Sequence, residues 1–339
     1  MTPDRPNDGQ TVTEIDTPIQ NLPRSAVITG GAGFIGTHLA RHLRQAGCSV
    51  TTIDILPRSD ELDVVHQIWD VRRPLPKDLA AAPDVIFNLA AVHRTPGHPD
   101  REYYETNVAG AINVVNWAES VGTTSICFTS SISVYGPGED PKEESTLPTP
   151  VSPYGISKLM AEKFHMNWAE KSPERSLRII RPAVVFGRNE HGNFTRLAHA
   201  LEKRRFFYPG RDDTVKACGY VRDLVRAICF SLTSGQEVET YNYCYPRAYS
   251  IKDVCTAFHE IAGYPLPRTI PGSLLSLPVE AAHRLHSDYV SHFAARIRKL
   301  TVSTNIEPVA LLNAGFTWET DLHTGIQEWY EACQFESFE

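Results

Sequence analysis

The chain has no excess of basic charge. Its 33 lysines and arginines are set against 40 aspartates and glutamates, a net charge of −7 over 339 residues. A sequence-independent nucleic-acid binder needs a basic face, so that class is excluded. No stretch approaches the ~18 consecutive apolar residues needed to cross a bilayer, so no membrane span is expected. The seven cysteines, at 48, 127, 218, 229, 244, 255 and 333, form no Cys-x-x-Cys and no His/Cys cluster of zinc spacing. Neither a disulfide framework nor a metal site is therefore expected. Several of them lie in apolar runs, as small buried hydrophobes of a reducing, cytoplasmic compartment would. Internal repeats and low-complexity tracts are absent too. Residues 1–24 contain Pro3, Pro6, Pro18 and Pro23 among polar residues with no apolar centre. They read as a flexible leader and lack the apolar region of a signal peptide.

What is present is an ordinary globular share of hydrophobic residues, 42%, in a pattern of short apolar strands alternating with helical segments. Strands are predicted at Ala26–Thr29, Val50–Ile53, Gln67–Val71, Asp84–Leu89, Ser125–Ser130 and Leu177–Arg181. Near-continuous apolar strands between helices indicate a parallel sheet covered on both faces, a doubly wound α/β Rossmann fold. The pattern predicts a dinucleotide-binding domain over 25–188. Residues 189–339 then form mainly a smaller, discontinuous C-terminal substrate-binding lobe, interrupted by a strand at Thr240–Tyr245 that returns to the sheet. Within that lobe a helix is expected over Phe194–Lys203, an aromatic and basic loop over Phe206–Arg211, and helices between Leu274 and Leu300. His283, His286 and His292 in those helices read as solvated positions without ligand geometry.

Val27-Ile28-Thr29-Gly30-Gly31-Ala32-Gly33-Phe34-Ile35-Gly36 is the most informative stretch. An apolar strand ends in glycines and passes into a helical pattern, the geometry that cradles a dinucleotide pyrophosphate. The helix's unpaired N–H groups and dipole favour the negative charge there. Asp54 ends the next strand, 18 positions beyond Gly36. A carboxylate at that place accepts from the ribose 2′-hydroxyl and repels a 2′-phosphate, which predicts NAD over NADP. Arg58 close by would soften that preference.

Tyr154 and Lys158 open a helix after Ser152-Pro153, and i to i+4 spacing puts them on one face. A free phenol has a pKa near ~10 and is no base at neutral pH. A neighbouring ammonium would stabilise the phenolate and let Tyr154 exchange a proton with a hydroxyl. Phe128-Thr129-Ser130-Ser131-Ile132-Ser133-Val134-Tyr135-Gly136 places hydroxyls at a strand end. By themselves these serines read as groups satisfying turn backbone.

Taken together these residues resemble the extended short-chain dehydrogenase/reductase family, in its NAD-dependent epimerase/dehydratase branch acting on nucleotide sugars. The resemblance runs from about Arg24 to Tyr330. It rests on GGAGFIG, Asp54, Asp70-Val71, Asn88-Leu89-Ala90-Ala91, Thr106-Asn107-Val108-Ala109-Gly110, SSISVYG, SPYGISK and Arg181-Pro182 in that order. It implies that Gly30, Gly33, Phe34, Ile35 and Gly36 hold the pyrophosphate, and that Asp54 takes the adenosine ribose. Asp70 and Val71 would flank adenine, and Leu89, Ala90 and Ala91 would line the cofactor path. Asn107 would support the site and Pro182 would sit against the nicotinamide. Ser131, Tyr154 and Lys158 match the catalytic set, with Lys158 also on the nicotinamide ribose. Asn193 and Lys216 match substrate contacts, Lys216 where many members place an arginine for the substrate pyrophosphate. The resemblance further implies a homodimer through helices near Ala109–Ser120 and Tyr154–Ser172.

Departures from the family pattern narrow the reaction. Its dehydratases carry an Asp-Glu pair directly after the catalytic Thr, and this chain has Ile132 and Ser133 there, so dehydration lacks its acid and base. Val184 replaces an Asn that touches the sugar in many epimerases. The resemblance therefore implies an NAD-dependent epimerase working through a transient keto sugar. A keto-sugar reductase or sugar dehydrogenase would use the same residues. A non-catalytic NAD sensor is disfavoured, because Ser131, Tyr154 and Lys158 are all kept.

Overall fold

The structure, a computed structural model, describes residues 22–58, 62–94, 97–233, 235, 237–271 and 300–338. Nearly all of the expected leader, and the expected helices with His283, His286 and His292, lie outside the described residues.

Seven strands form one parallel sheet: β1 (Ser25–Thr29), β2 (Ser49–Asp54), β3 (Val65–Ile68), β4 (Val85–Asn88), β5 (Ser125–Thr129), β7 (Ser176–Pro182) and β11 (Val238–Tyr243). Their order is β11-β7-β5-β4-β1-β2-β3. The chain winds outward from β1 to β3, then returns beside β1 with β4, so the order reverses between β1 and β4. That reversal opens the crevice where such sheets bind ligands. Three further two-stranded parallel pairs flank it. β6 (Gly138–Lys142) pairs with β13 (Thr304–Ile306), β8 (Val184–Phe186) with β10 (Cys218–Tyr220), and β9 (Phe207–Pro209) with β12 (Arg268–Ile270).

Side-chain alternation explains the two covered faces. Ala26 and Ile28 of β1, Val85 and Phe87 of β4, and Cys127 of β5 point to one side. There they meet Leu39, Ala40 and Leu43 of α1 (Phe34–Gln45) and Leu224, Val225 and Ile228 of α6 (Val221–Ser231). Val27, Ile86, Ile126, Phe128 and Ile179 point to the other side. They pack on Val114, Val115 and Ala118 of α3 (Gly110–Val121) and on Ala161, Trp168 and Ala169 of α4 (Pro153–Glu170). Both α1 and α4 start as the sequence suggests, after Gly33 and after the Ser152 cap, whose hydroxyl accepts from the Gly155 N–H at 3.1 Å.

Several boundaries differ from expectation. β3 lies at Val65–Ile68 and not at Gln67–Val71. It is a half-exposed edge strand with little apolar patterning, and Val71 leaves the sheet to pack under Gly110 of α3. Phe207–Pro209, expected in a loop, is strand β9. The strand expected at Thr240–Tyr245 is β11 at Val238–Tyr243, hydrogen-bonded beside β7. Beyond the sheet, Phe186, Phe258, Trp329 and Phe338 form an aromatic core with α5 (Asn193–Glu202), α7 (Ile251–Ala262) and the helix Leu322–Ala332.

Candidate active site

The glycine turn sits at the carboxyl end of β1. Gly30 has φ +73°, and a Cβ there would lie 2.7 Å from the Ala90 nitrogen, so the turn and the Leu89-Ala90 backbone pass in contact. Only glycine permits that approach. α1 begins at Phe34 with no side-chain cap on its N-terminus and no acidic residue in its first turn. Its leading N–H groups and the positive end of its dipole are therefore left for an anion. The Phe34 and Ile35 side chains pack into the two cores, so only their backbone can face a phosphate. Gly36 is buried where α1 meets the turn.

Asp54 accepts from the Ala32 N–H at 3.0 Å and from the Leu56 N–H at 3.1 Å, which braces the turn from the end of β2. Arg58 reaches the same turn, donating to the Gly31 carbonyl at 2.9 Å. Asp70 lies beside a cavity of about 350 Å³ lined by Ile55, Ile68, Trp69, Asp70 and Arg73. A bidentate hydrogen bond from Arg72 holds the Asp70 carboxyl below the usual range. Val71 is a core residue, and only its backbone can line a ligand path. Asn107, expected to support the site, spends its amide inside the protein. It pairs with Val92 N–H and C=O at 2.8 and 3.0 Å and donates to Ser157 Oγ at 2.9 Å. It thereby ties the loop after Ala91 to α4, from within a π-helical turn at Tyr104–Ala109.

Ser131, Tyr154 and Lys158 converge at the carboxyl end of β5. Ser131 Oγ and Ser133 Oγ are in hydrogen-bond contact at 3.2 Å, and Ser131 Oγ accepts the Ser133 N–H at 3.1 Å. Burial pushes the Tyr154 phenol up to about 12, and the Ser131 hydroxyl, hydrogen-bonded to it, works against that shift. Lys158 is 2% exposed, and burial pushes its ammonium down to about 7 while Glu162 opposes. Its Nζ donates to the Thr129 carbonyl at 2.7 Å and lies 4.8 Å from the Phe128 ring centroid. The expected stabilisation of the Tyr154 phenolate by Lys158 is thus missing from this arrangement. In the dry end of the strand the nearest acceptor for the lysine is a carbonyl, and it takes it. Thr129 Oγ1 and Ser130 Oγ are buried at the same strand end without a hydrogen-bond partner among the described residues. Orphaned hydroxyls on the same sheet edge as an uncapped helix N-terminus fit a bound dinucleotide, whose ribose, amide and phosphates supply the missing partners. Pro182 ends β7 close by in the sheet order.

Asn193 and Lys216 lie apart from this cluster in sequence and in secondary structure. Asn193 is exposed at the start of α5 and accepts from Arg196 at 2.8 Å. Lys216 donates to the Val302 carbonyl at 2.7 Å, and burial pushes it down to about 8. Val184 is on β8 and packs toward the aromatic core.

Motif reading gave no role to the buried groups behind α4. His165 Nδ1 donates to the Ala161 carbonyl, so Nε2 accepts from Asn88, and the ring stacks 4.2 Å from Phe128. Burial lowers its pKa to about 4, so it is a neutral packing group. Glu162 and Arg181 form a buried ion pair at 2.7 Å. The available signal was a glutamate four residues after Lys158 and an arginine inside an apolar strand.

Residues 26–244 match the family described as NAD dependent epimerase/dehydratase. The N-acetyl-α-D-glucosaminyl-diphospho-ditrans,octacis-undecaprenol 4-epimerase of Escherichia coli O157:H7 is 29% identical over 313 residues, 89% of this chain and 93% of that protein. The UDP-glucose 4-epimerase of Erwinia amylovora is 27% identical, over 70% of this chain and 83% of its own length. The solved structure of MoeE5 in complex with UDP-glucuronic acid and NAD superposes with a TM-score of 0.74 at 25% identity, covering 91% of this chain and 99% of that one. The chain is an enzyme of the NAD-dependent epimerase/dehydratase family, and NAD is its cofactor.

Proposed function

We propose that this enzyme epimerises a sugar carried on a diphosphate, with a nucleotide sugar as the substrate class. What carries the reading is the meeting of Ser131, Tyr154 and Lys158 on the same carboxyl edge of the sheet as the glycine turn, with Ile132 buried in the core and Ser133 hydrogen-bonded to Ser131. The side chains that follow Ser131 therefore offer no carboxyl to protonate and expel a hydroxyl, which favours epimerisation over dehydration.

The glycine turn from Gly30 to Gly36 holds the cofactor pyrophosphate, Asp54 the adenosine ribose, and Asp70 with the Val71 backbone the adenine. Leu89, Ala90, Ala91 and Pro182 line the path to the nicotinamide, and Lys158 takes its ribose. Bound NAD supplies the acceptor and later the donor of a hydride at one sugar carbon. Tyr154 takes the proton of the hydroxyl on that carbon and returns it after the keto sugar has turned over. Ser131 hydrogen-bonds the same oxygen. Residues 25–188, together with β11, form the cofactor domain, and 189–339 form mainly the substrate lobe.

Incubation with UDP-, dTDP-, GDP- and CDP-sugars and with a polyprenyl-diphosphate sugar tests this reading, scoring isomer formation and NADH release separately. Isomer without NADH release supports an epimerase. Stoichiometric NADH release shows a dehydrogenase, and no turnover of any substrate overturns the proposal.

Lys216 is the anchor for the substrate's diphosphate, since a net acidic chain needs a local cation to admit one. A lost charge-assisted hydrogen bond costs about 1.5–3 kcal/mol. Lys216→Ala is therefore expected to raise the substrate KM about tenfold or more, as ~1.4 kcal/mol is one decade, with little change in NAD affinity. Unchanged KM would place the diphosphate elsewhere. Asn193 contributes a second, weaker contact to the nucleotide side.

The chain also pairs with a second copy through α3 and α4. Ile156, Met160 and Phe164 are more than a third exposed at i, i+4 and i+8 on α4, an apolar stripe that a partner helix would cover. Sedimentation of the full chain should give twice the 37.8 kDa monomer mass; a monomer at micromolar concentration refutes it.

A further inference from the structure

Beyond Ser176, strand β7 is apolar on both faces except for Arg178 and Arg181, and Arg181 is buried beside the candidate catalytic cluster. Its Nε and Nη2 donate to the two oxygens of Glu162 at 2.8 and 2.7 Å. Nη1 donates to the Tyr135 hydroxyl at 2.7 Å, and that hydroxyl donates onward to Asn242 Oδ1 on β11 at 2.8 Å. Burial alone would lower the arginine's pKa, but Glu162 and Tyr135 raise it overall, so the guanidinium stays charged.

A charge pair this deep is a weak device for stability, because apolar groups of the same volume often do as well. Its distinctive property is geometric: a planar fork with fixed bond directions. The three ends of this fork are placed where the site is assembled. Glu162 lies on α4, one turn beyond Lys158 and two beyond Tyr154. Tyr135 closes the short turn Ile132–Tyr135, which Ser131 caps. Arg181 itself precedes Pro182. At the other end of this contact, Gly155 of α4 presses on the Ser133 carbonyl so closely that any Cβ would collide.

We infer that Arg181 is a positioning residue: through Glu162 and Tyr135 it holds the helix bearing Tyr154 and Lys158 against the turn bearing Ser131, keeping the Ser131 hydroxyl on the Tyr154 oxygen. The inference rests on Tyr154 as the proton-transfer group. Other groups around the pair are Tyr103 beside Tyr154, and His93, His165 and Glu162 around Lys158. A hydroxyl donor stabilises a phenolate, so loosening the fork should raise the Tyr154 pKa.

Tyr135→Phe keeps the ring against the guanidinium and removes only the hydroxyl that joins Arg181 to Asn242. The NAD-loaded protein is titrated by tyrosinate absorbance, with Tyr154 isolated by difference against the matching Tyr154→Phe variant. The Tyr154 midpoint is expected to move up by about half a unit or more. On the sugar that the wild type turns over, kcat should fall about tenfold, as one decade of lost transition-state stabilisation, while KM and NAD affinity change less than about twofold. A second variant, Arg181→Met with Glu162→Gln, leaves no stranded charge; it should keep the fold by circular dichroism and show the same upward shift. Arg181→Lys, charged but without a fork, should not restore the wild-type midpoint. An unmoved midpoint in Tyr135→Phe and in the double variant overturns the inference. The titration needs no substrate, so it decides the point even if the sugar panel refutes the epimerase reading.

Discussion

Tyr154→Phe abolishes turnover while leaving NAD binding within about twofold of wild type. The ring is held by neighbours, with its centroid 6.2 Å from that of Tyr103, and phenylalanine keeps that packing. Only the oxygen that exchanges the substrate proton is lost. Positioned acid–base groups contribute roughly 10²–10⁴ in rate, so the loss should fall in that range. The hydroxyl is pushed up to about 12 by burial, which makes it a reluctant base in the protein alone. Wild-type kcat should accordingly rise with pH through the neutral range, and the residual rate of the phenylalanine variant should lack that rise. Steady-state kinetics on the responsive sugar check both points. A variant retaining more than about a tenth of the wild-type rate removes Tyr154 from proton transfer, since a positioned acid–base group is worth far more than one decade.

Lys158→Met is expected to make the cofactor-free protein more stable while destroying activity. An unfolded lysine titrates near ~10.4, whereas burial holds the folded Lys158 at about 7. Between those values the unfolded chain binds the extra proton, so the lysine's cost to folding is relieved as pH rises from 7 toward 10. Below pH 7 both states are protonated and the full cost is present. At ~1.4 kcal/mol per unit, that cost approaches roughly 5 kcal/mol. Methionine fills similar space but strands the Thr129 carbonyl, which loses about 1–3 kcal/mol. The net gain should be about 2–4 kcal/mol below neutral pH, by the same two magnitudes, and should fall to zero between about pH 8 and 10 and reverse above that, where the stranded carbonyl outweighs the fading lysine cost. Urea unfolding of NAD-free protein at pH 6 and at pH 9.5 measures it. Equal or lower stability of the methionine variant at pH 6 would show that the ammonium is better solvated than its burial indicates. Stability surrendered at this one position is what a site kept for function looks like.

Asp54 and Arg58 illustrate a choice that neither residue makes alone. Both reach the same glycine turn, Asp54 through the Ala32 N–H and Arg58 through the Gly31 carbonyl. A carboxylate there disfavours a 2′-phosphate and a guanidinium favours one. Each side chain already bonds the backbone around the turn, so the balance between the two, and not either alone, weighs a ribose against its 2′-phosphate.

The sequence by itself determined the elements whose physics is local. The glycine turn, the start of α1 behind it, the start of α4 after Ser152-Pro153 and the expected apolar strands other than β3 each depend on backbone preferences and on neighbours a few residues away, and each lies close to where the pattern put it. Tyr154 and Lys158 share a helix for the same reason. The boundary of β3 was misplaced because an exposed edge strand needs little apolar patterning, while Val71 is apolar for α3's sake. Only the tertiary structure decided the properties set by distant groups. Lys158 bonds a carbonyl 29 positions upstream, and its proton is governed by burial that no i,i+4 rule contains. How Asn107 supports the site is set by Ser157, 50 positions away in the chain and a hydrogen bond away in space. Arg181 finds Glu162 and Tyr135 only when β7, α4 and the Ser131 turn are packed together. Local conformation is written in adjacent residues, whereas dielectric, pairing and proton affinity depend on which remote segments the sheet brings side by side.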